Sequence, residues 1–123
     1  MKKLLFLLVI ILSGCVTDRN FNQSNVCDIF KTNPQWKSYA EKTKEKWGVP
    51  VSLQLSFIKQ ESSFNRTARP PRQKVLGFIP GLRPSSAYGY SQALVGTWEE
   101  YKQSTGNFNA DRKSFADASD FIG

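Results

Sequence analysis

The apolar and polar positions from residue 33 onward follow helical spacing more closely than strand alternation. Asn33-Pro34 has the form of a helix start, with asparagine as N-cap and proline in the first turn, where its missing N–H costs nothing. Trp36, Ala40, Thr43 and Trp47 follow at helical intervals, and Gly48 supplies the stop. This spacing predicts that Trp36 and Trp47 belong to the core. A second helix is expected over residues 51–63. Val51, Leu53, Leu55 and Phe57 also alternate as a strand would, but Ile58 breaks that pattern and Pro50 favours a helical first turn. Leu94, Trp98 and Tyr101 mark a third helix, ended by Gly106, and Phe115, Ala118 and Ile122 a fourth. Strand signals are nearly absent and no internal repeat is visible. The expectation is a small, mainly helical domain.

Within the second helix one carboxylate is out of place. At 100° per residue, Ser52, Ser56, Lys59 and Ser63 share a narrow polar sector. Glu61 falls on the opposite side, with Phe57 and Ile58 at i−4 and i−3 and Gln54 at i−7. One reading is a glutamate at a helix end, paired with Arg66 or Arg69. The other is a half-buried carboxylic acid whose pKa is raised by desolvation, as a general acid requires.

Residues 65–86, "NRTARPPRQKVLGFIPGLRPSS", are basic and rich in proline. Pro70, Pro71, Pro80 and Pro84 forbid a long helix. The segment combines Arg66, Arg69, Arg72, Lys74 and Arg83 with Val75, Leu76, Phe78 and Ile79. The plain expectation is a solvated loop with its apolar residues folded beneath it. A flap over an anionic glycan, or a contact with lipid, is the alternative.

The opening "MKKLLFLLVIILSGC" combines Lys2 and Lys3 with a nine-residue apolar stretch, Leu4 to Leu12. That is far below the roughly 20 residues that span a bilayer, but it suits a secretory signal. "LSGC" at 12–15 resembles a bacterial lipobox, which predicts a signal peptide over 1–14, lipid on Cys15, a tether over 15–32 and a domain over 33–123. Val16 after the cysteine fits outer-membrane sorting, with the domain facing the periplasm. Removing residues 1–14 leaves 109 residues with 15 cationic against 10 acidic side chains, a net charge of +5. A positive surface on an exported protein suits anionic polymers such as peptidoglycan, or lipid headgroups, and nucleic acid fits poorly. There is no histidine, so Ser-His-Asp, Cys-His and HExxH chemistry are excluded within this chain. No CxxC, Walker or GxGxxG pattern occurs, and neither a metal nor a cofactor is expected. Cys27 is left as a single thiol, either buried or separated from a disulfide partner.

Glu61-Ser62 and "AYGYSQA" at 87–93 together resemble the lytic transglycosylase domain shared by soluble lytic transglycosylases and goose-type lysozymes. That family places a catalytic Glu followed by Ser at a helix end, then a Gly-Leu-Met-Gln motif, then an Ala-Tyr-Asn-x-Gly motif. Glu61-Ser62 matches the first. Gly89, Tyr90, Ser91 and Gln92 occupy the second, with Tyr-Ser in place of Leu-Met. The resemblance runs from Trp36 to Gly123 and is to a lipoprotein branch that carries a Pro/Arg-rich insertion between the two motifs.

The resemblance implies a lysozyme-like fold and a substrate, the β-1,4 bond between N-acetylmuramic acid and N-acetylglucosamine in peptidoglycan. It also implies that Glu61 works alone, first as acid and then as base, and yields a 1,6-anhydromuramoyl product. Ser62 and Gln92 are then expected to position substrate or Glu61 by hydrogen bonds, Gly89 to let backbone approach the sugar, and Tyr88 and Tyr90 to stack on pyranose rings, although a core role for one tyrosine is equally open. Nothing after Gln92 matches the third motif. The domain is therefore expected to be incomplete at its C-terminal end, with Phe115, Ala118, Phe121 and Ile122 awaiting cover from residues beyond Gly123. Two alternatives stand beside the transglycosylase. One is a muramidase-type hydrolase with Asp111 or Asp117 as second carboxylate. The other is a non-catalytic, lipid-anchored peptidoglycan-binding remnant.

Overall fold

The computed structural model describes residues 21–123, so the expected signal peptide and Cys15 lie outside the described residues. The helices are α1 (Val26–Thr32), α2 (Pro34–Trp47), α3 (Val51–Ser62), α4 (Val95–Thr105) and α5 (Phe115–Ile122). Between α3 and α4 stands one antiparallel hairpin of β1 (Lys74–Val75) and β2 (Ile79–Pro80). Four helices were expected, and their ends follow the capping residues. Gly48 and Gly106 close α2 and α4 in the left-handed conformation, with φ of 78° and 72°. Ser114 caps α5 by accepting from Asp117 N–H. The hydroxyl of Ser86, eight positions before the Leu94 cap, accepts from Val95 N–H at 3.2 Å and serves the open start of α4.

Helix α1 and the hairpin are additions to the expected order. The stretch read as a tether contains α1, capped by Asn25 through Cys27 N–H, with Ile29 buried. Cys27 is exposed and unpaired, so the alternative of a buried thiol is corrected: α1 turns Ile29 inward and Cys27 to solvent. The loop residues expected to fold beneath residues 65–86 do not. Leu76 and Phe78 are 78% and 76% exposed, because the hairpin projects them rather than folding back over the helices.

The main core is built around Trp36. Its ring stacks on Phe115 of α5 at 4.2 Å between centroids and 5° between planes, and on Phe64, just after α3, at 5.7 Å and 18°. Tyr90 and Phe21 meet it edge-on. Ile29, Leu55, Ile58 and Ala118 complete the cluster. A second cluster of Ala93, Trp98 and Tyr101 receives Phe121. Helix α5 thus finds its cover on α2 and α4: Phe115 and Ala118 are buried, and Phe121 packs on Trp98 and Tyr101. The expectation that these side chains wait for cover from outside the chain does not hold for them.

Two polar nodes lock the helices. Gln54, fully buried, donates to Ala40 O at 3.0 Å and Val49 O at 2.9 Å, and its Oε1 accepts from Ser119 Oγ at 2.5 Å. Ser119 has a single proton, so its 3.1 Å contact with Thr43 is satisfied by the threonine hydroxyl as donor. The second node is Asp120, which accepts from Trp47 Nε1 at 2.9 Å, Tyr101 Oη at 2.7 Å and Lys46 Nζ at 2.9 Å. Trp47 is therefore not a core residue. It lies on the same helical stripe as Trp36, but at the last position of α2, 45% exposed, with its indole drawn to Asp120.

Burial alone would raise the Asp120 carboxyl, but hydrogen bonds from Tyr101, Lys46 and Trp47 and the charge of Lys46 outweigh it and hold it below its ordinary value. Burial, reinforced by the hydrogen bond to Asp120, pushes the Tyr101 hydroxyl well above 10.0. A carboxyl lowered by folding stabilises the fold above 3.8 and loses that contribution as pH falls through the depressed folded value. Urea midpoints of the native chain should therefore exceed those of an Asp120→Asn variant at neutral pH, and the gap should close as pH drops below 3.8. A raised tyrosine acts in the opposite direction. Stability should fall as pH climbs above 10.0, where the unfolded chain ionises first, and Tyr101→Phe should remove that loss.

Candidate active site

The end of α3 is where the sequence concentrates its candidate chemistry. The helix buries Gln54, Leu55, Ile58 and Ser62, a stripe centred away from Phe57. Glu61 lies at the margin of that stripe and is exposed, and Phe57 and Leu53, one and two turns back on the same side, are 41% and 57% exposed. The expected half-burial of Glu61 is thus corrected. A fully buried glutamine rotates the helix so that Ile58 points inward and Phe57 does not. Nor does Glu61 pair with Arg66 or Arg69; it has no ion pair or hydrogen bond among the described residues.

The chain reverses immediately after it. Ser62 is buried and its hydroxyl donates to Ile58 O at 3.0 Å, so it finishes the helix instead of facing a ligand. Ser63 and Phe64 both adopt positive φ, 48° and 58°. Two such residues in succession cost about 1–3 kcal/mol each, and the fully buried Phe64 ring stacked on Trp36 offsets that strain. The turn delivers Ala68, whose carbonyl anchors the second motif: it accepts from Gly89 N–H at 3.0 Å and from Gln92 Nε2 at 2.9 Å.

The 87–93 segment closes as a tight loop, with Tyr88 bridged to Ala93. Gln92, at φ 52°, also donates to Gly89 O at 2.9 Å, so its amide N–H groups hold the loop shut. Gly89 is buried at φ 79°, and an added Cβ would lie 2.0 Å from Arg112 O. The backbone that approaches this glycine is that of Arg112, not an open path to a sugar. Tyr90 is buried beneath Trp36 and Phe115 and is a core residue, not a stacking platform. Tyr88 is only half-buried, and its ring has the guanidinium of Arg69 at 4.2 Å and that of Arg112 at 5.2 Å.

Arg112 is the residue that sequence reasoning missed. Its guanidinium donates to Ser86 O and Ala93 O, both at 2.9 Å, and its own carbonyl accepts from Tyr90 N–H. It therefore clamps both ends of the motif loop from the other side of α4. No spacing rule connects it to residues about twenty positions earlier. The motif loop, Ala68 and Arg112 form one cradle beside the end of α3, and Glu61 is the carboxylate at the end of that helix.

The profile of the transglycosylase SLT domain family matches residues 3–123. The chain belongs to that family. No curated protein and no solved structure matches it. Membership makes peptidoglycan the substrate class and agrees with the mainly helical architecture. In this SLT domain, Gly89 and Gln92 hold the cradle, Ser62 and Tyr90 are buried beneath it in the helix end and the core, and Glu61 is the exposed motif side chain, with Tyr88 and Gln92 half-buried.

Replacing Gly89 tests the cradle directly. Gly89→Ala should destabilise the domain by about 2–4 kcal/mol, from positive-φ strain together with displacement of the Arg112 carbonyl. Urea melts measure the loss. A neighbouring glycine with open space at its Cβ, Gly96, should tolerate alanine.

Proposed function

We propose that this SLT domain is a peptidoglycan lytic transglycosylase in which Glu61 is the single acid and base. The observation that carries this reading is an exposed carboxylate at the end of α3 that no cation among the described residues takes up, although five Lys and Arg side chains follow within 22 residues. Glu61 protonates the oxygen of the MurNAc-β-1,4-GlcNAc bond as that bond breaks. The substrate's N-acetyl group supports the positive charge that develops at the anomeric carbon. The carboxylate then removes the proton of the muramoyl C6 hydroxyl, whose oxygen bonds to the anomeric carbon and closes the 1,6-anhydro ring. No water is consumed, and Glu61 ends as it began.

A general acid must keep its proton until the bond breaks, and desolvation favours that. In the free domain the protein does not cover Glu61, so in this reading the substrate excludes the water, with a sugar ring seated along Leu53 and Phe57. Tyr88, half-buried with the Arg69 guanidinium at 4.2 Å from its ring, offers its remaining exposed surface as a further contact for the sugar. Ser62, Gly89 and Gln92 act as positioning residues through the backbone.

A hydrolase on the same fold needs a second carboxylate to activate water. The two candidates are occupied elsewhere. Asp117 accepts from Asn107 Nδ2 at 3.1 Å and Asp111 N–H at 3.0 Å, and Asp111 accepts from Lys113 N–H at 2.9 Å. Both serve the turn before α5, which favours the non-hydrolytic reaction.

Glu61→Gln should lower digestion of purified sacculi by roughly 10²–10⁴-fold with unchanged circular dichroism. The products of the native chain should end in 1,6-anhydromuramic acid by mass spectrometry. Reducing muramic ends, one water heavier, would assign the hydrolase instead, and near-full activity of the variant would remove Glu61 from the reaction.

We further propose that Cys15 carries lipid and holds the domain at the periplasmic face of the outer membrane. The sequence of residues 1–16 supports this reading, and no described helix is long and apolar enough to cross a membrane. Cys15→Ser should abolish metabolic labelling with palmitate and leave unprocessed precursor.

A further inference from the structure

Hairpin β1–β2 is an ordered projection with its apolar side chains in water. Val75 faces Ile79 across the strands, 51% and 43% exposed, and Leu76, Phe78 and Leu82 are more exposed still, Leu82 at 84%. A two-stranded hairpin alone is at best marginally stable. This one is braced at its base. Gln73 N–H donates to Leu82 O at 3.0 Å, Gly81 N–H to Gln73 O at 2.7 Å, and Arg72 to Gly81 O at 3.2 Å, while Arg83 donates to Pro70 O. Leu76 is held at φ 54° and Gly77 at φ 80°, so the turn presents its leucine outward in a conformation leucine rarely adopts.

The charge along the segment that carries this tip has one sign. From Ser62 to Trp98 there are five cations, Arg66, Arg69, Arg72, Lys74 and Arg83, and no Asp or Glu. An apolar tip with Lys74 on its first strand and arginines bonded at its base matches the layered chemistry of an anionic bilayer, where headgroup phosphates lie outside acyl chains. A glycan strand offers no comparable apolar layer, and a second copy of this chain would oppose cation to cation.

We propose that the β1–β2 hairpin is a membrane-docking finger. Leu76 and Phe78 enter the acyl boundary of an anionic leaflet, and Lys74 and Arg66 contact its phosphates. The finger does not depend on Glu61 or on lipid at Cys15. It gives the domain a second point of attachment, which sets the orientation of the α3 end over the bilayer.

The test uses the full chain with Cys15→Ser and Cys27→Ser, which removes both native thiols. An environment-sensitive fluorophore is attached at Leu76→Cys, or at Lys42→Cys on exposed α2 as control. With phosphatidylglycerol-containing vesicles, the probe at position 76 should shift to the blue and be quenched by brominated acyl chains, and the probe at position 42 should not. Adding Phe78→Ser should weaken the position-76 response roughly 30-fold, and adding Lys74→Gln with Arg66→Gln roughly 25-fold. The proposal is overturned if the probe at 76 responds to no vesicle, responds equally to neutral phosphatidylcholine, or responds to purified glycan strands in place of vesicles. It is equally overturned if the response accompanies dimer formation without lipid.

Discussion

Trp36 is the contact on which the arrangement of the candidate site depends. Its indole lies between the rings of Phe115 and Phe64, with Tyr90 against its edge, so one side chain joins α2, α5, the reversal after α3 and the second motif. Those four pieces lie apart in sequence, and the hydrogen bonds among them join α2 to α5 and the reversal to the motif, whereas the Trp36 stack touches all four. Removing a buried ring of this size costs about 3–5 kcal/mol, a large part of the roughly 5–15 kcal/mol that holds an ordinary domain together. The two left-handed residues after Ser62 are tolerable only because Phe64 reaches this stack. The direction in which α3 ends is thus set by aromatic packing beneath the site, not by any group within it.

The polar nodes turn that packing into a fixed geometry. Gln54 takes a place where an apolar residue would fill space equally well, but it ties two carbonyls of the α2 region and the Ser119 hydroxyl of α5 to α3. Its burial fixes the rotation of α3, and rotation decides which residues of the last turn see solvent. Arg112 does the corresponding work on the motif loop by bonding carbonyls at both of its ends. An Arg that bonds backbone keeps its charge and spends its donors on rigidity.

Much of this was legible in the residues. Asparagine, proline and glycine marked ends of three of the four expected helices because capping is local chemistry. Helix α1 was not, since only Ile29 of its seven residues is buried and one position has no period. The hairpin escaped because its strands are two residues long and one ends in proline. Trp47 shares the helical stripe of Trp36, yet spacing cannot foresee that an aspartate 73 residues later draws the indole outward. Glu61 and its motif were visible, but its exposure was not. The apolar flank counted Phe57 and Ile58 alike, and only the buried Gln54, a polar residue in an apolar place, separates them. Tyr90, likewise, could be sorted from Tyr88 only by tertiary contact.

The arginines of the loop after α3, with Arg112, give the site its most informative negative feature. Arg69 lies over Tyr88, Arg72 bonds Gly81 O, Arg83 bonds Pro70 O, and Arg112 bonds two carbonyls and also faces Tyr88. None takes the glutamate. A surface pair of that kind would add only about 0–1 kcal/mol to stability, but it would occupy the oxygens that the proposed reaction uses. Carbonyls and an aromatic face satisfy guanidinium groups at no such cost. A basic segment can then lie next to a carboxylate in the chain, rigidify the loop beside it, and still leave Glu61 without an ion pair among the described residues, as its proposed role asks.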